Sequence, residues 1–112
     1  MRKAFICPTK YVQGQDELLN LGYFVKVFGN SALLIAHKDD IQRVKDKLDS
    51  TSKKFDITFV ESNFKGECSR EEVARLQELA KNNKCSCTIG LGGGKAIDTA
   101  KCVAQGDNLI IV

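Results

Sequence analysis

The stretch Cys87-Thr88-Ile89-Gly90-Leu91-Gly92-Gly93-Gly94-Lys95-Ala96-Ile97-Asp98-Thr99-Ala100-Lys101 decides how the rest of the chain is read. A short apolar strand runs into a glycine triplet and then into a helical pattern. Without Cβ atoms a backbone can turn sharply and approach a phosphate closely. The open amides and positive dipole end of the following helix then face that anion, and Lys95 adds a full charge. A plain tight turn accounts for three glycines equally well. Two standard phosphate cradles fail on spacing. A P-loop would need glycine at Ile89 and Ser or Thr at Ala96, and the G-x-G-x-x-G fingerprint started at Gly90 would need its last glycine at Lys95. Asp98 and Lys101 are helical neighbours. They form either a weak surface ion pair or a pair in which Asp98, in the first turn, faces a bound ligand; periodicity does not choose.

Outward from this loop, short apolar runs alternate with amphipathic helical patterns, which predicts βαβ units and a parallel sheet. Phe5-Ile6-Cys7 reads as a strand, with a second extended piece around Tyr11-Val12. Residues 15–28 carry Leu18, Leu21, Val25 and Phe28 at helical spacing, stopped by Gly29-Asn30. Residues 31–36 form a continuous apolar run that suits a strand buried on both faces. A second helix opens at Lys38 or Asp39, with Ile41, Val44 and Leu48 on one side, and dissolves in Ser50-Thr51-Ser52. Residues 55–61 alternate as a strand. Ser69-Arg70-Glu71-Glu72 is a capping box that opens a third helix with Val73, Leu76 and Ala80 as its buried stripe. The helix after the glycines runs over residues 96–105, and Leu109-Ile110-Ile111-Val112 is a last strand.

The 112 residues suit one domain, and a 43% apolar, 28% charged composition is that of a globular chain. The net charge of +3 is scattered rather than gathered into a basic stripe, which argues against nucleic acid as a partner. No apolar run approaches a membrane span, and the run after Arg2-Lys3 is too short for a signal peptide. The five cysteines lack paired spacing, which favours reduced thiols and a cytoplasmic protein. Cys85-Ser86-Cys87 is too closely spaced for a usual zinc clip, and His37 is the only histidine.

The segment from Gly92 to Lys101 resembles the glycine-rich NAD-binding motif of the iron-containing alcohol dehydrogenase superfamily. Lysine after the triplet is similar to the glycerol dehydrogenase branch, as are Pro8-Thr9-Lys10-Tyr11-Val12-Gln13-Gly14 and Gly66-Glu67-Cys68-Ser69-Arg70. The resemblance covers essentially all of this chain but about the first third of a family chain. It implies that residues 1–112 are an N-terminal, Rossmann-like dinucleotide-binding domain. Gly92, Gly93, Gly94 and Lys95 would hold the pyrophosphate, and Asp98 would lie by the nicotinamide. In full-length members a helical second domain supplies an aspartate and two histidines to a divalent metal, zinc in glycerol dehydrogenases. None of these ligands carries over to this chain, so neither metal nor catalytic residues are assigned here. Homo-oligomers are expected of full-length members.

One position departs from the family. An aspartate that usually follows the second strand, where it bonds the adenosine ribose, is replaced by His37, with Lys38, Asp39 and Asp40 next. His37 is then either part of the cofactor site, where it would tolerate the 2′-phosphate of NADP, or a solvated loop residue, with a small shift bringing in Asp39. NAD is the expected cofactor. The chain stops on an apolar strand where a site should continue, so it is expected to be a truncated domain without polyol oxidation of its own. The alternatives are a non-catalytic nucleotide-binding remnant, a sister activity such as dehydroquinate synthase or glycerol-1-phosphate dehydrogenase, and a flavodoxin-like signalling domain, which lacks the acidic cluster it would need.

Overall fold

The computed structural model describes residues 9–12, 15–105 and 108–112. The strand expected at Phe5-Ile6-Cys7 lies outside the described residues. Among the described residues five strands form one parallel sheet: β1 (Thr9–Tyr11), β2 (Ser31–Ile35), β3 (Thr58–Glu61), β4 (Cys87–Gly90) and β5 (Leu109–Ile111), in the spatial order β1-β5-β4-β2-β3. The helices between them are α1 (Gln15–Leu18), α2 (Leu21–Phe28), α3 (Lys38–Arg43), α4 (Lys45–Phe55), α5 (Arg70–Asn82) and α6 (Gly94–Ala104). This is the expected Rossmann-like sheet flanked by helices.

Burial on both faces explains the uninterrupted apolar strands. On one face, Leu34 and Ile89 pack under Leu18, Leu21, Val25, Ile41 and Leu48 from α1 to α4. On the other, Leu33, Ile35 and Ile111 pack under Leu76 of α5 and Ala96, Ala100, Val103 and Ala104 of α6. Each fully buried Leu or Ile contributes roughly 1.5–3 kcal/mol by leaving water. The alanine stripe of α6 lets that helix lie close on β4.

Four boundaries differ from the sequence reading. The helix expected over residues 15–28 is two helices, broken at Leu19-Asn20. The second is likewise split at Val44, whose φ of −115° leaves helical geometry. Its second half does not dissolve in Ser50-Thr51-Ser52 but continues to Phe55, because the buried Thr51 Oγ1 accepts from the Gly22 N–H at 2.8 Å. Asp56, in the left-handed region at φ 55°, ends α4, so the third strand starts at Thr58 rather than Phe55. Only half of the capping box forms. Ser69 Oγ accepts from the Glu72 N–H at 3.1 Å, but the Glu72 carboxylate turns to Arg75 and to the Lys65 N–H instead of reaching back.

Chain direction fixes where a ligand can sit. The connection leaving β2 passes over the face covered by α3 and α4, whereas that leaving adjacent β4 passes over the α6 face. Neighbouring strands whose connections depart to opposite faces open a crevice beyond their carboxyl ends. His37 and Gly92 stand at the two sides of that opening.

Candidate functional site

The crevice is framed by backbone. The Leu91 N–H donates to the Ile35 carbonyl at 3.1 Å, and the Val112 N–H to the Gly90 carbonyl at 2.9 Å, so strand pairing extends up to the glycines. The four glycines of this segment have different reasons to be glycine. At Gly90 a Cβ would stand 2.8 Å from the Ala100 Cβ and 3.2 Å from the Ile97 Cα. Gly92 has φ +93°, and a Cβ there would meet Asp40 Oδ2 at 2.5 Å. Gly93 and Gly94 have neither constraint. Gly93 has φ −62° and ψ 167°, which any residue adopts, and apart from chain neighbours and the backbone of α6 nothing lies within 4 Å of the Cβ position of either. The fold does not require glycine at these two places; an object brought against the backbone there would.

Gly93 is the N-cap of α6 and supplies no side-chain cap, so the first amides of the helix are left to other partners. The first turn holds no acidic residue, so no side chain of α6 itself compensates the positive end of its dipole. Lys95 Nζ lies 2.6 Å from Glu67 Oε1, both side chains being exposed, and Thr99 Oγ1 donates to the Lys95 carbonyl at 2.6 Å. The helix starts two residues earlier than the sequence reading placed it, at Gly94. Asp98 therefore belongs to the second turn rather than the first. It is exposed, and among the described residues it makes no ion pair with Lys101.

His37 is a half-buried loop residue rather than a fully solvated one. It occupies the N-cap position of α3 without a side-chain cap hydrogen bond, and sets its ring edge-on to Phe64 with centroids 5.1 Å apart. A Cβ on Gly66 would lie 3.8 Å from its Cε1, so the loop after β3 closes over the imidazole. The acid that reaches the glycine loop is Asp40, not Asp39. Asp40 ion-pairs with Arg43 and covers Gly92. The structure thus brings Gly92, Gly93, Gly94 and Lys95 together with His37 at one crevice and adds Asp40 and Glu67. Asp40 had one legible signal, its place one turn after His37 on α3. Glu67 stood only within the Gly66–Arg70 stretch, and its pairing with Lys95, 28 positions away, had no signal.

Behind this site, Glu72 is buried and accepts from Arg75 Nε and Nη2 at 2.8 Å each. The Arg75 hydrogen bonds hold its carboxyl below the usual range against the opposing push of burial, helped by the Lys65 N–H. Arg75 also donates to the Ser62 and Asn63 carbonyls. This pair pins the loop that carries Glu67 to α5.

A cavity of about 630 Å³ opens at the opposite end of the sheet, beside Lys81, Lys84, Cys85, Gln105 and Asn108. The carboxyl ends of α5 and α6 border it, and those dipole ends repel rather than hold phosphate. Cys87 and Cys85 join different apolar clusters, one on each face of the sheet. Burial pushes the Cys87 thiol up to about 12 and also raises Cys85, which suits structural thiols. Among the described residues no group of three or more potential ligands could hold a metal ion, and no helix is long and apolar enough to cross a membrane.

Over residues 8–108 the sequence matches the iron-containing alcohol dehydrogenase family. It is 42% identical over 104 residues to a glycerol dehydrogenase of Pseudomonas putida, covering 93% of this chain and 28% of that protein. A glycerol dehydrogenase of Escherichia coli O6:H1 is 33% identical over 105 residues, covering 94% and 29%. Among solved structures, glycerol dehydrogenase from Schizosaccharomyces pombe superposes with a TM-score of 0.77 at 32% identity, over 96% of this chain and 28% of that one. The NADH-dependent butanol dehydrogenase A of Thermotoga maritima gives 0.74 at 31%, over 94% and 27%. The chain therefore spans less than a third of the length of these relatives. The glycine triplet, the helix it opens and the crevice they face all fall within the matched residues, and the chain belongs to the iron-containing alcohol dehydrogenase family.

Proposed function

We propose that this chain is the dinucleotide-binding domain of a glycerol dehydrogenase-like oxidoreductase, with NAD as its cofactor. One observation carries the reading: Gly93 and Gly94 keep open the space that a side chain could fill without disturbing the fold. A pyrophosphate fits that space. The α6 amides and the Lys95 ammonium would hold it, with Glu67 released from Lys95 as the anion arrives. Asp39 and Asp40, in the first turn of α3, favour ribose hydroxyls over a 2′-phosphate at the adenosine end. Half-buried His37 would form the floor there, and exposed Asp98 would stand further along α6, towards the nicotinamide.

The bound nicotinamide supplies hydride acceptance or release. This chain's residues bind and orient it, and supply no metal ligands for the substrate hydroxyl among those described. Oxidation of glycerol, with zinc or another divalent metal and a homo-oligomer, is proposed only for a longer protein built like the relatives. Residues 1–112 alone are expected to show no polyol oxidation. The odd number and unpaired spacing of the five cysteines support a reducing, cytoplasmic setting. Calorimetric titration of the 112-residue chain tests the reading. NAD should bind with measurable heat and NADP more weakly; no heat at millimolar NAD would overturn it.

A further inference from the structure

Cys68 and Cys102 face each other across the α5–α6 groove. The Cys68 S–H donates to Cys102 Sγ, with the sulfurs 3.8 Å apart. Both residues are exposed at a cavity of about 380 Å³ lined also by Ser69, Val73 and Gln77. They are 34 positions apart in sequence, so the fold, not local chain geometry, makes the encounter. A disulfide needs its sulfurs at about 2.05 Å. Rotation of two exposed side chains, one on a loop, can close the gap.

The position has a consequence for the glycine loop. Cys68 directly follows Glu67, whose carboxylate sits on Lys95. Cys102 lies two turns beyond Lys95 on α6 and shares its face. We propose that Cys68 and Cys102 form a reversible disulfide that locks Glu67 over Lys95 and so weakens dinucleotide binding. The bond stands on its own geometry; its effect on binding rests on the dinucleotide reading above.

A peroxide is the oxidant. One thiolate attacks a peroxide oxygen, the O–O bond breaks, and water leaves behind a sulfenic acid. The second thiolate attacks that sulfur, the S–S bond forms, the S–O bond breaks and a second water departs. Two thiols lose two electrons and two protons while hydrogen peroxide is reduced to two waters. A small dithiol reverses the bond by exchange. Exposed disulfides of this kind are the labile, regulatory type.

The test compares reduced and peroxide-treated 112-residue chain by peptide mapping after alkylation, thermal melting and NAD titration. The expected map has Cys68–Cys102 as the dominant cross-link. The melting midpoint rises by about 10 °C, because the bond closes a long loop in the unfolded chain. NAD affinity falls by about fivefold, the ceiling set by an exposed ion pair, and dithiothreitol restores it. Cys102→Ser should bind NAD like the reduced parent and form no cross-link with peroxide. Both thiols remaining open to alkylation after treatment would overturn the pair. Unchanged NAD affinity in the cross-linked chain would overturn its coupling to the site. A reduced chain that binds no NAD removes that coupling together with the dinucleotide reading, while the map still decides the bond.

Discussion

Replacing Gly94 with alanine separates what the fold needs from what a ligand needs. Gly94 is the first residue of α6, and beyond its chain neighbours and its own helix backbone no atom lies within 4 Å of where its Cβ would stand. The methyl group meets no clash in the protein. It also narrows the unfolded ensemble, so Gly94→Ala should stabilise the chain by about 0.4–1 kcal/mol. For a domain of this size that raises the melting midpoint by roughly 2–8 °C. Binding should move the other way. In the proposed site the methyl group would occupy the space through which a phosphate oxygen would reach the helix amides, and losing one charge-assisted hydrogen bond costs about 1.5–3 kcal/mol. NAD affinity should therefore fall tenfold or more. Urea unfolding followed by circular dichroism gives the first quantity and calorimetry the second. A variant that binds NAD within about twofold of the parent, or that is destabilised by more than about 1 kcal/mol, would refute the reasoning.

Gly90→Ala should show the opposite pattern, destabilising by about 1–3 kcal/mol in urea, because its methyl would press on Ala100 and Ile97 and lift α6 from the sheet. Thr51→Val keeps the shape of the side chain but leaves the buried Gly22 N–H without its acceptor. A cost of about 1–3 kcal/mol is expected in the same assay. Glu72 makes stability depend on acid. Its carboxyl is held below the ordinary value of 4.5 in the folded chain, so the Arg75 pairing contributes fully above that pH. The contribution drains away as the pH falls through the folded value. Urea midpoints between pH 7 and pH 3 should fall more steeply for the parent than for Glu72→Gln, and parallel profiles would count against the pairing.

Local regularities were enough to read the parallel sheet. Ala32-Leu33-Leu34-Ile35 could only be buried on both faces, and the strand, triplet and α6 follow one another without any long-range contact. The order of sheet strands, and hence the crevice between β2 and β4, needed the tertiary structure. The roles inside the glycine run were also hidden. Four glycines look alike in sequence, yet Gly90 answers to Ala100, Gly92 to backbone conformation and Asp40, and Gly93 and Gly94 to nothing in the chain.

The sequence by itself determined the elements that arise from neighbours along the chain: apolar runs, helical periodicity, the Ser69 cap and the glycine turn before α6. Only the tertiary structure decided which distant groups meet. Thr51 prolongs α4 past a serine-rich stretch by serving Gly22, Asp40 rather than Asp39 reaches the triplet, and Glu67 closes on Lys95. Hydrogen bonds and ion pairs act over a few ångströms, and residues dozens of positions apart come that close only after the sheet has fixed where each connection turns back.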